Sequence, residues 1–291
     1  MQHTREAESI RTGLTKESRA VCYPLWLVMK TPRRATLRIV SLAPSATSIL
    51  CAIGAKHSLV GVTKWCADVA PVGRLPKLGD CWHMKSVDEI LRLEPTLVIG
   101  SVPYKQETVA KLLEQRLNFL AMNPRALADI AADIRLLGGV SHRPAAAEKL
   151  VKEMRQSFSQ IETKSRQIKK RVRVYCEAWP NPRITSPPWV SELVEICGGK
   201  SVVPAGEKIT EAQVASASPE LIVLAWAATG MKSDPRQSYK VATWKDVPAI
   251  RNRQVRVISD ELLNTPGPPL VKGVRALYRL VHSVSEARER A

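Results

Sequence analysis

Phenylalanine is nearly missing from this 291-residue chain, at two residues, and all aromatics together make up 5% of it. Seven of them are tryptophans, a costly side chain that serves packing or recognition. No apolar stretch approaches the ~20 residues that a membrane-spanning helix needs. The six cysteines (Cys22, Cys51, Cys66, Cys81, Cys176 and Cys197) form no C-x-x-C pair, which argues against a zinc site and against a dense disulfide framework. Their plain reading is buried free thiols; Cys66 and Cys81, flanking one loop, can alternatively pair or touch a ligand. There is no G-x-S-x-G nucleophile elbow, no glycine-rich phosphate loop and no zinc-finger spacing. His3, His57, His83, His142 and His282 are dispersed, none with a carboxylate or cysteine at metal-ligand spacing. No catalytic residues, catalytic cofactor or resident metal are expected, so the chain does not read as an enzyme.

What is abundant is positive charge, with a formal net of +17. The cations are spread out, with denser places at Met1–Arg38 and His142–Arg173, the latter holding Lys164, Arg166, Lys169, Lys170, Arg171 and Arg173. Without an RNP-like aromatic pattern or other recognisable module, no nucleic-acid partner is expected. The charge fits a solvated face, or one that meets an acidic partner or membrane surface. The first residues fit a secretory signal poorly, because Met1–Ala20 holds three glutamates and the apolar run Ala20–Met29 is broken by Pro24. Met29, followed by Lys30-Thr31-Pro32-Arg33-Arg34, is an equally good start.

From Leu37 the pattern predicts an α/β chain. Leu37–Leu42 reads as a buried strand, Thr47–Ile53 as a helix capped by Ser45 or Thr47 and closed by Gly54, and Leu59–Val62 as a second strand. Val87–Leu93 reads as a helix before the strand Leu97–Ile99, with further helices over Glu107–Gln115 and Leu127–Leu137. His142–Arg171 is one long helical pattern, and ~27 residues of helix would span ~40 Å. Beyond it the plan repeats: strand Val172–Cys176, helix Val190–Cys197, helix Ala212–Ala217, strand Leu221–Ala225, strand Val255–Ile258 and helix Leu270–Val281. Residues 87–99 and 211–223 echo each other as helix, proline, buried strand. The expectation is two Rossmann-like lobes, each a mostly parallel sheet flanked by helices, joined by a bridging helix with a ligand cleft between them. The bounds are residues 1–36 as an extension, disordered or preceding the true start; 37–141, first lobe; 142–171, bridge; 172–284, second lobe; and 285–291, tail.

Several stretches resemble the substrate-binding proteins of ABC-type importers whose lobes are joined by a helical backbone, the cobalamin- and siderophore-binding group, and most closely its cobalamin branch. In the first lobe they are Arg38-Ile39-Val40-Ser41-Leu42-Ala43-Pro44-Ser45-Ala46-Thr47, Val60-Gly61-Val62-Thr63, and the helix–Glu94-Pro95–strand unit. In the second they are Trp189 to Gly199 and Asn264-Thr265-Pro266-Gly267-Pro268-Pro269-Leu270-Val271. The resemblance implies a carrier without catalysis, monomeric, holding a corrinoid or related metal chelate and delivering it to a membrane permease. It implies a periplasmic or envelope location, with a cytosolic corrinoid-binding protein as the alternative that the poor signal leaves open. It also implies acidic docking residues on each lobe: Asp88 in the first, and in the second the slot of Ala212, with Glu211 one position earlier.

Ligand contacts are expected where loops follow strands, because open α/β sheets bind ligands beyond the carboxyl ends of their strands. Trp65, Trp82, Trp179 and Trp226 fall there, and flat indole faces suit a corrin or tetrapyrrole; the alternative is that they pack the seam between lobes. Trp189, Asn264, Tyr104 and Ser45 complete the set, with Trp244 read as structural. His83, next to Trp82, is the one histidine to test as an axial ligand to cobalt or iron. Arg74, Lys64 and Arg183 lie near the same loops and would favour an anionic ferric siderophore or haem instead.

Overall fold

The computed structural model describes residues 36–82, 84 and 86–290. Residues 1–35, which carry nearly all of the expected extension, and His83 lie outside them. The first lobe runs β1 (Ile39–Ser41), α1 (Pro44–Ala52), β2 (Leu59–Thr63), β3 (Lys77–Leu78), α2 (Asp88–Leu91), β4 (Leu97–Ser101), α3 (Gln106–Glu114), β5 (Phe119–Met122) and α4 (Leu127–Val140). After α5 (Pro144–Ser165) come β6 (Val172–Pro180), β7 (Arg183–Thr185), α6 (Pro188–Ile196), β8 (Gly199–Ser201), α7 (Glu211–Ala217) and β9 (Leu221–Leu224). The chain ends with α8 (Arg236–Tyr239), α9 (Pro248–Arg251), β10 (Val255–Val257), α10 (Asp260–Leu263) and α11 (Leu270–Glu289).

Continuous apolar runs become central parallel strands because helices cover both of their faces. Ile39–Ser41 is buried throughout, as is Leu221–Leu224. The first sheet is parallel in the order β3-β2-β1-β4-β5. In the second, β10-β9-β6 is parallel, β8 runs parallel to the first half of β6, and β7 runs antiparallel to its second half. The order β2-β1-β4-β5 therefore recurs as β8-β6-β9-β10. The sequence echo falls on α2–β4 and α7–β9, each strand lying beside the first strand of its lobe. The strands the sequence did not reveal are β3, β5, β7 and β8. β3, β7 and β8 are two or three residues long and carry no continuous apolar run, and β5, though apolar, is four residues long and mostly not buried.

Two expected helix details change. Ser45 does not cap α1: Pro44 takes the first helical position after extended Ala43, and buried Ser45 accepts from the Ser48 hydroxyl through its carbonyl at 2.8 Å. Proline suits that position because its missing N–H would have no intrahelical partner there. The bridging helix stops at Ser165 and not at Arg171. Ile168 N–H turns back to the Ser165 carbonyl at 2.9 Å, and Val172 is drawn into the sheet with no exposed surface. At 22 residues, α5 spans ~33 Å.

The lobes share one apolar core. Ala147, Val151, Met154 and Ile161 of α5 join Ile49 of α1 and Leu193 of α6 in a single buried cluster. A Cβ at Gly138 of α4 would lie 2.4 Å from the Ala147 Cβ, so only glycine permits that approach to α5. The lobes also touch directly. Glu192 Oε1 of α6 accepts from the first amide of α4, Leu127, at 3.0 Å. The loop after α10 lies on α1, where a Cβ at Gly267 would be 3.1 Å from Ser48 Oγ.

Candidate functional site

That loop marks where the carboxyl edges of the two sheets come together. It follows Asn264, whose Nδ2 donates to the carbonyl of Ala225, just past β9, at 2.7 Å. On its other side lies α1, entered directly from β1. Asn264 Oδ1 is buried and has no hydrogen-bond partner. Ser101 Oγ, at the end of β4, is in the same condition. Buried acceptors without partners are uncommon, and a bound molecule or water is one way to satisfy them.

In the first lobe the turn after β2 carries Trp65, half-buried, with the Lys64 ammonium 4.3 Å from its ring centroid. Asp80, just past β3, ties two loops together: Oδ2 accepts from the Trp65 indole N–H at 3.1 Å and Oδ1 from the Trp82 amide at 2.9 Å. Trp82 is thereby held outward, 54% exposed. Tyr104 follows β4, donates its hydroxyl to the Met122 carbonyl at 2.8 Å and stands edge-on to Phe119. Burial, with Cys81 beside it, raises the Tyr104 pKa, so the phenol stays protonated. Trp82, Tyr104, Lys105, Gln106 and Glu107 line an open hollow of about 400 Å³. Gly100 of β4 is closely packed beside Tyr104, because a Cβ there would sit 2.9 Å from both Cys81 Sγ and Phe119. Burial, then the charge of Asp80, pushes the Cys81 thiol up to about 12. Cys66, between the hydroxyls of Thr47 and Thr63 at 3.1 and 3.2 Å, and Cys81 are both free, buried thiols.

The second lobe uses its tryptophans differently. Trp179, at the end of β6, is 41% exposed and donates to the Asn181 carbonyl at 2.9 Å. Trp226 is 5% exposed and Trp189 3%, so both lie under the rim. The Trp189 indole bonds the Leu263 carbonyl at 2.9 Å and supports the Asn264 loop from below. Trp226 bonds Glu177, a fully buried carboxylate. Glu177 Oε1 accepts from Trp226 at 2.8 Å, and Oε2 accepts from Tyr175 at 2.6 Å and Arg183 at 2.7 Å. Arg183 stacks on Trp244, 4.4 Å from its centroid, and reaches Glu211 at 3.1 Å. Burial and the neighbouring Glu177 raise the Tyr175 pKa. Trp244 has no exposed surface, which matches its structural reading.

Of the expected contact residues, the structure gathers Trp65, Trp82 and Tyr104 on one rim. Trp179 stands exposed on the other lobe, and Asn264 sits at the junction. Ser45, Trp189 and Trp226 are buried. His83 lies outside the described residues, and among those residues no cluster of metal-binding side chains occurs. The sequence reading missed Asp80, Ser101, the Glu177–Arg183 pair and Met231. Met231 is 65% exposed, on a loop after β9 that Asp260 pins by accepting from the amides of Ala228 and Gly230. Nothing in linear spacing marks these residues, since it is the fold that brings Asp80 to Trp65, Glu177 to Trp226 and Asp260 to the Met231 loop.

The two acids expected to dock occupy matching places. α2 opens at Asp88 and α7 at Glu211, so both stand first in equivalent helices and both are exposed. Counting back from the prolines puts Ala212 opposite Asp88, because α2 starts seven residues before Pro95 and α7 eight before Pro219. Asp88 accepts from Ser86 Oγ at 2.7 Å, whereas Glu211 is already paired with Arg183.

The sequence profile of the periplasmic binding proteins matches residues 39–262. A vitamin B12-binding protein of Vibrio parahaemolyticus is 28% identical over 86% of this chain and 91% of its own length. The apo periplasmic haem-binding protein RhuT from Roseiflexus superposes with a TM-score of 0.74 at 21% identity, over 86% of this chain and all of that one. The periplasmic vitamin B12-binding protein BtuF of Vibrio cholerae does so at 0.67 and 22%, over 85% of this chain and 97% of that one.

Proposed function

The chain belongs to the periplasmic binding protein family, and from that premise we propose that it is the substrate-binding component of an ABC-type importer, carrying cobalamin or a related corrinoid. The observation that carries this reading is the aromatic rim on the carboxyl edge of the first lobe. Trp82 and Tyr104 line an open hollow, Trp65 is tied to the Trp82 loop through Asp80, and Trp179 is exposed on the corresponding edge of the second lobe. A corrin is broad, flat and partly apolar. Indole faces fixed before binding cover such a ligand at little cost in rotamer entropy. The unpartnered Asn264 Oδ1 and Ser101 Oγ are positions for its polar substituents or bridging waters. The similarity to a vitamin B12-binding protein over most of both chains supports the same ligand.

The protein binds and releases without chemical change, as a monomer in the periplasm or at the envelope. Asp88 and Glu211 then meet cationic residues of the permease. Glu211 does so in competition with Arg183, which makes the second docking contact the weaker one.

Lys64 and Lys105 on the rim favour haem or a ferric siderophore as the second reading, since both ligands are anionic. Calorimetric titration with cyanocobalamin, haem and a ferric siderophore separates them. Saturable one-to-one binding of the corrinoid alone, weakened by Trp82→Ala, is expected. Silence toward the corrinoid alongside a signal from another ligand overturns the corrinoid reading.

A further inference from the structure

The edge of the second sheet away from the candidate site collects the densest positive charge among the described residues. α5 ends at Ser165, and the connection to β6 carries Arg166, Lys169, Lys170 and Arg171, all exposed, with exposed Lys164 just before it and no acid among them. The chain is not loose here. Arg288 of α11 donates to the Lys170 carbonyl, and Arg171 Nη1 donates to Gly199 O at 3.3 Å. Exposed Lys200 joins the group because its Cα is the register partner of Arg173 across β6 and β8.

Two nearby carboxylates are engaged elsewhere, and Glu162, exposed in the last turn of α5, offsets one of the charges. Glu220 accepts from the Arg173 amide at 2.9 Å and pairs with Arg288 at 3.4 Å. Glu286 lies 3.4 Å from His282 and 3.3 Å from Arg290. Lys164, the four exposed cations of the connection and Lys200 therefore present their charge to whatever approaches this edge.

We propose that this edge is an interaction surface for a lamellar array of anionic lipid headgroups. It is the turn-and-strand-end side of a sheet. The exposed aromatics that could stack on bases are elsewhere: Trp82 and Trp179 at the carboxyl edges and Tyr239 on the β9–β10 crossover. Half-buried Tyr278 meets the connection, its hydroxyl accepting from Gln167 Nε2 at 3.1 Å, and is held in the fold against His282. Clustered lysines and arginines without a fully exposed aromatic suit a planar field of phosphates, where each cation adds independently. Contact through this edge leaves the carboxyl edge, and so the candidate ligand site, open. It does not depend on which cargo the protein carries.

The test is co-sedimentation of the full chain with vesicles of phosphatidylcholine, alone or mixed with phosphatidylglycerol, across a salt series. Binding only to the anionic vesicles, lost as salt rises, is expected. The triple variant Arg166→Ser, Lys169→Ser, Lys170→Ser should bind ~100-fold more weakly, at about five-fold per cation. Removing the equally exposed Lys56, Lys77 and Lys111 of the first lobe should change binding only a few-fold. The charge-keeping variant Arg166→Lys, Lys169→Arg, Lys170→Arg should retain it, and decides the matter should the serine variant fail to fold. Equal losses from both lobes would reduce the effect to net charge and overturn the proposal. So would absence of vesicle binding, with or without edge-dependent binding to RNA.

Discussion

The two lobes repeat one strand order and treat their tryptophans in opposite ways. In the first, an acid at the rim, Asp80, holds Trp65 and Trp82 by single hydrogen bonds and leaves Trp82 in solvent. In the second, a fully buried acid, Glu177, gathers Tyr175, Trp226 and Arg183 and takes Trp226 out of solvent. The difference traces to β7. This short antiparallel strand has no counterpart in the first lobe, and it brings Arg183 over the end of β6. Topology therefore fixes where the rims are, and a single added hairpin decides whether a rim is a contact surface or a support.

The sharpest way to break this contrast is to remove each acid in turn. Glu177→Ala leaves a buried phenol and indole without their acceptor and Arg183 with Glu211 alone, and should lower unfolding free energy by ~3–5 kcal/mol in denaturant titration. Asp80→Ala should cost about 1 kcal/mol, with its main effect on ligand affinity. Equal losses would dissolve the distinction.

The tryptophans give the same contrast in a second observable. Trp226→Ala should cost ~3–5 kcal/mol of stability as a buried truncation. Trp82→Ala should leave stability within ~0.5 kcal/mol and weaken corrinoid binding ~10-fold in calorimetry. Next in size is the bridge. Gly138→Leu forces α4 off α5 and should cost ~1–3 kcal/mol while unfolding stays a single transition, because the lobes share one core. Two separated transitions would show the lobes to be independent.

The smallest effect concerns Asp133 of α4, whose carboxyl is raised by burial, then by Asp129, to about 6. The folded chain holds this proton to higher pH than the unfolded one. Stability from this group is therefore present below the ordinary 3.8 and falls as pH rises to about 6. Asp133→Asn should flatten that slope and raise the melting temperature near neutrality.

Much of this was legible in the chain. Apolar runs at Leu37–Leu42, Leu97–Ile99 and Leu221–Ala225 announced the central strands, since a strand buried on both faces must be apolar throughout. Prolines and glycines marked the helix ends, as Gly54 does for α1. Edge strands such as Lys77–Leu78 and Arg183–Thr185 were not legible, because a half-exposed pair of residues leaves no periodicity. The end of α5 was misjudged for a related reason: Arg166–Arg171 is compatible with a helix, and only the demand of Val172 for a place in the sheet stops it.

At the candidate site, residue type and position after a strand put forward Trp65, Trp82, Tyr104 and Trp179, all of which keep some exposed surface. They could not separate these from Trp189 and Trp226, since burial depends on neighbours far away in the chain, Leu263 for one and Glu177 for the other. The sequence by itself determined the two-lobed parallel architecture, the continuous helix between the lobes and the edges on which a ligand would sit, because these follow from local patterns of apolar side chains and chain-breaking residues. The tertiary structure alone decided which tryptophans face solvent, that Glu211 is matched with Asp88 yet held by Arg183, and that Lys200 joins the connection after α5 in one basic edge. Those are pairings across tens of residues, set by strand register and packing, and no local pattern carries them.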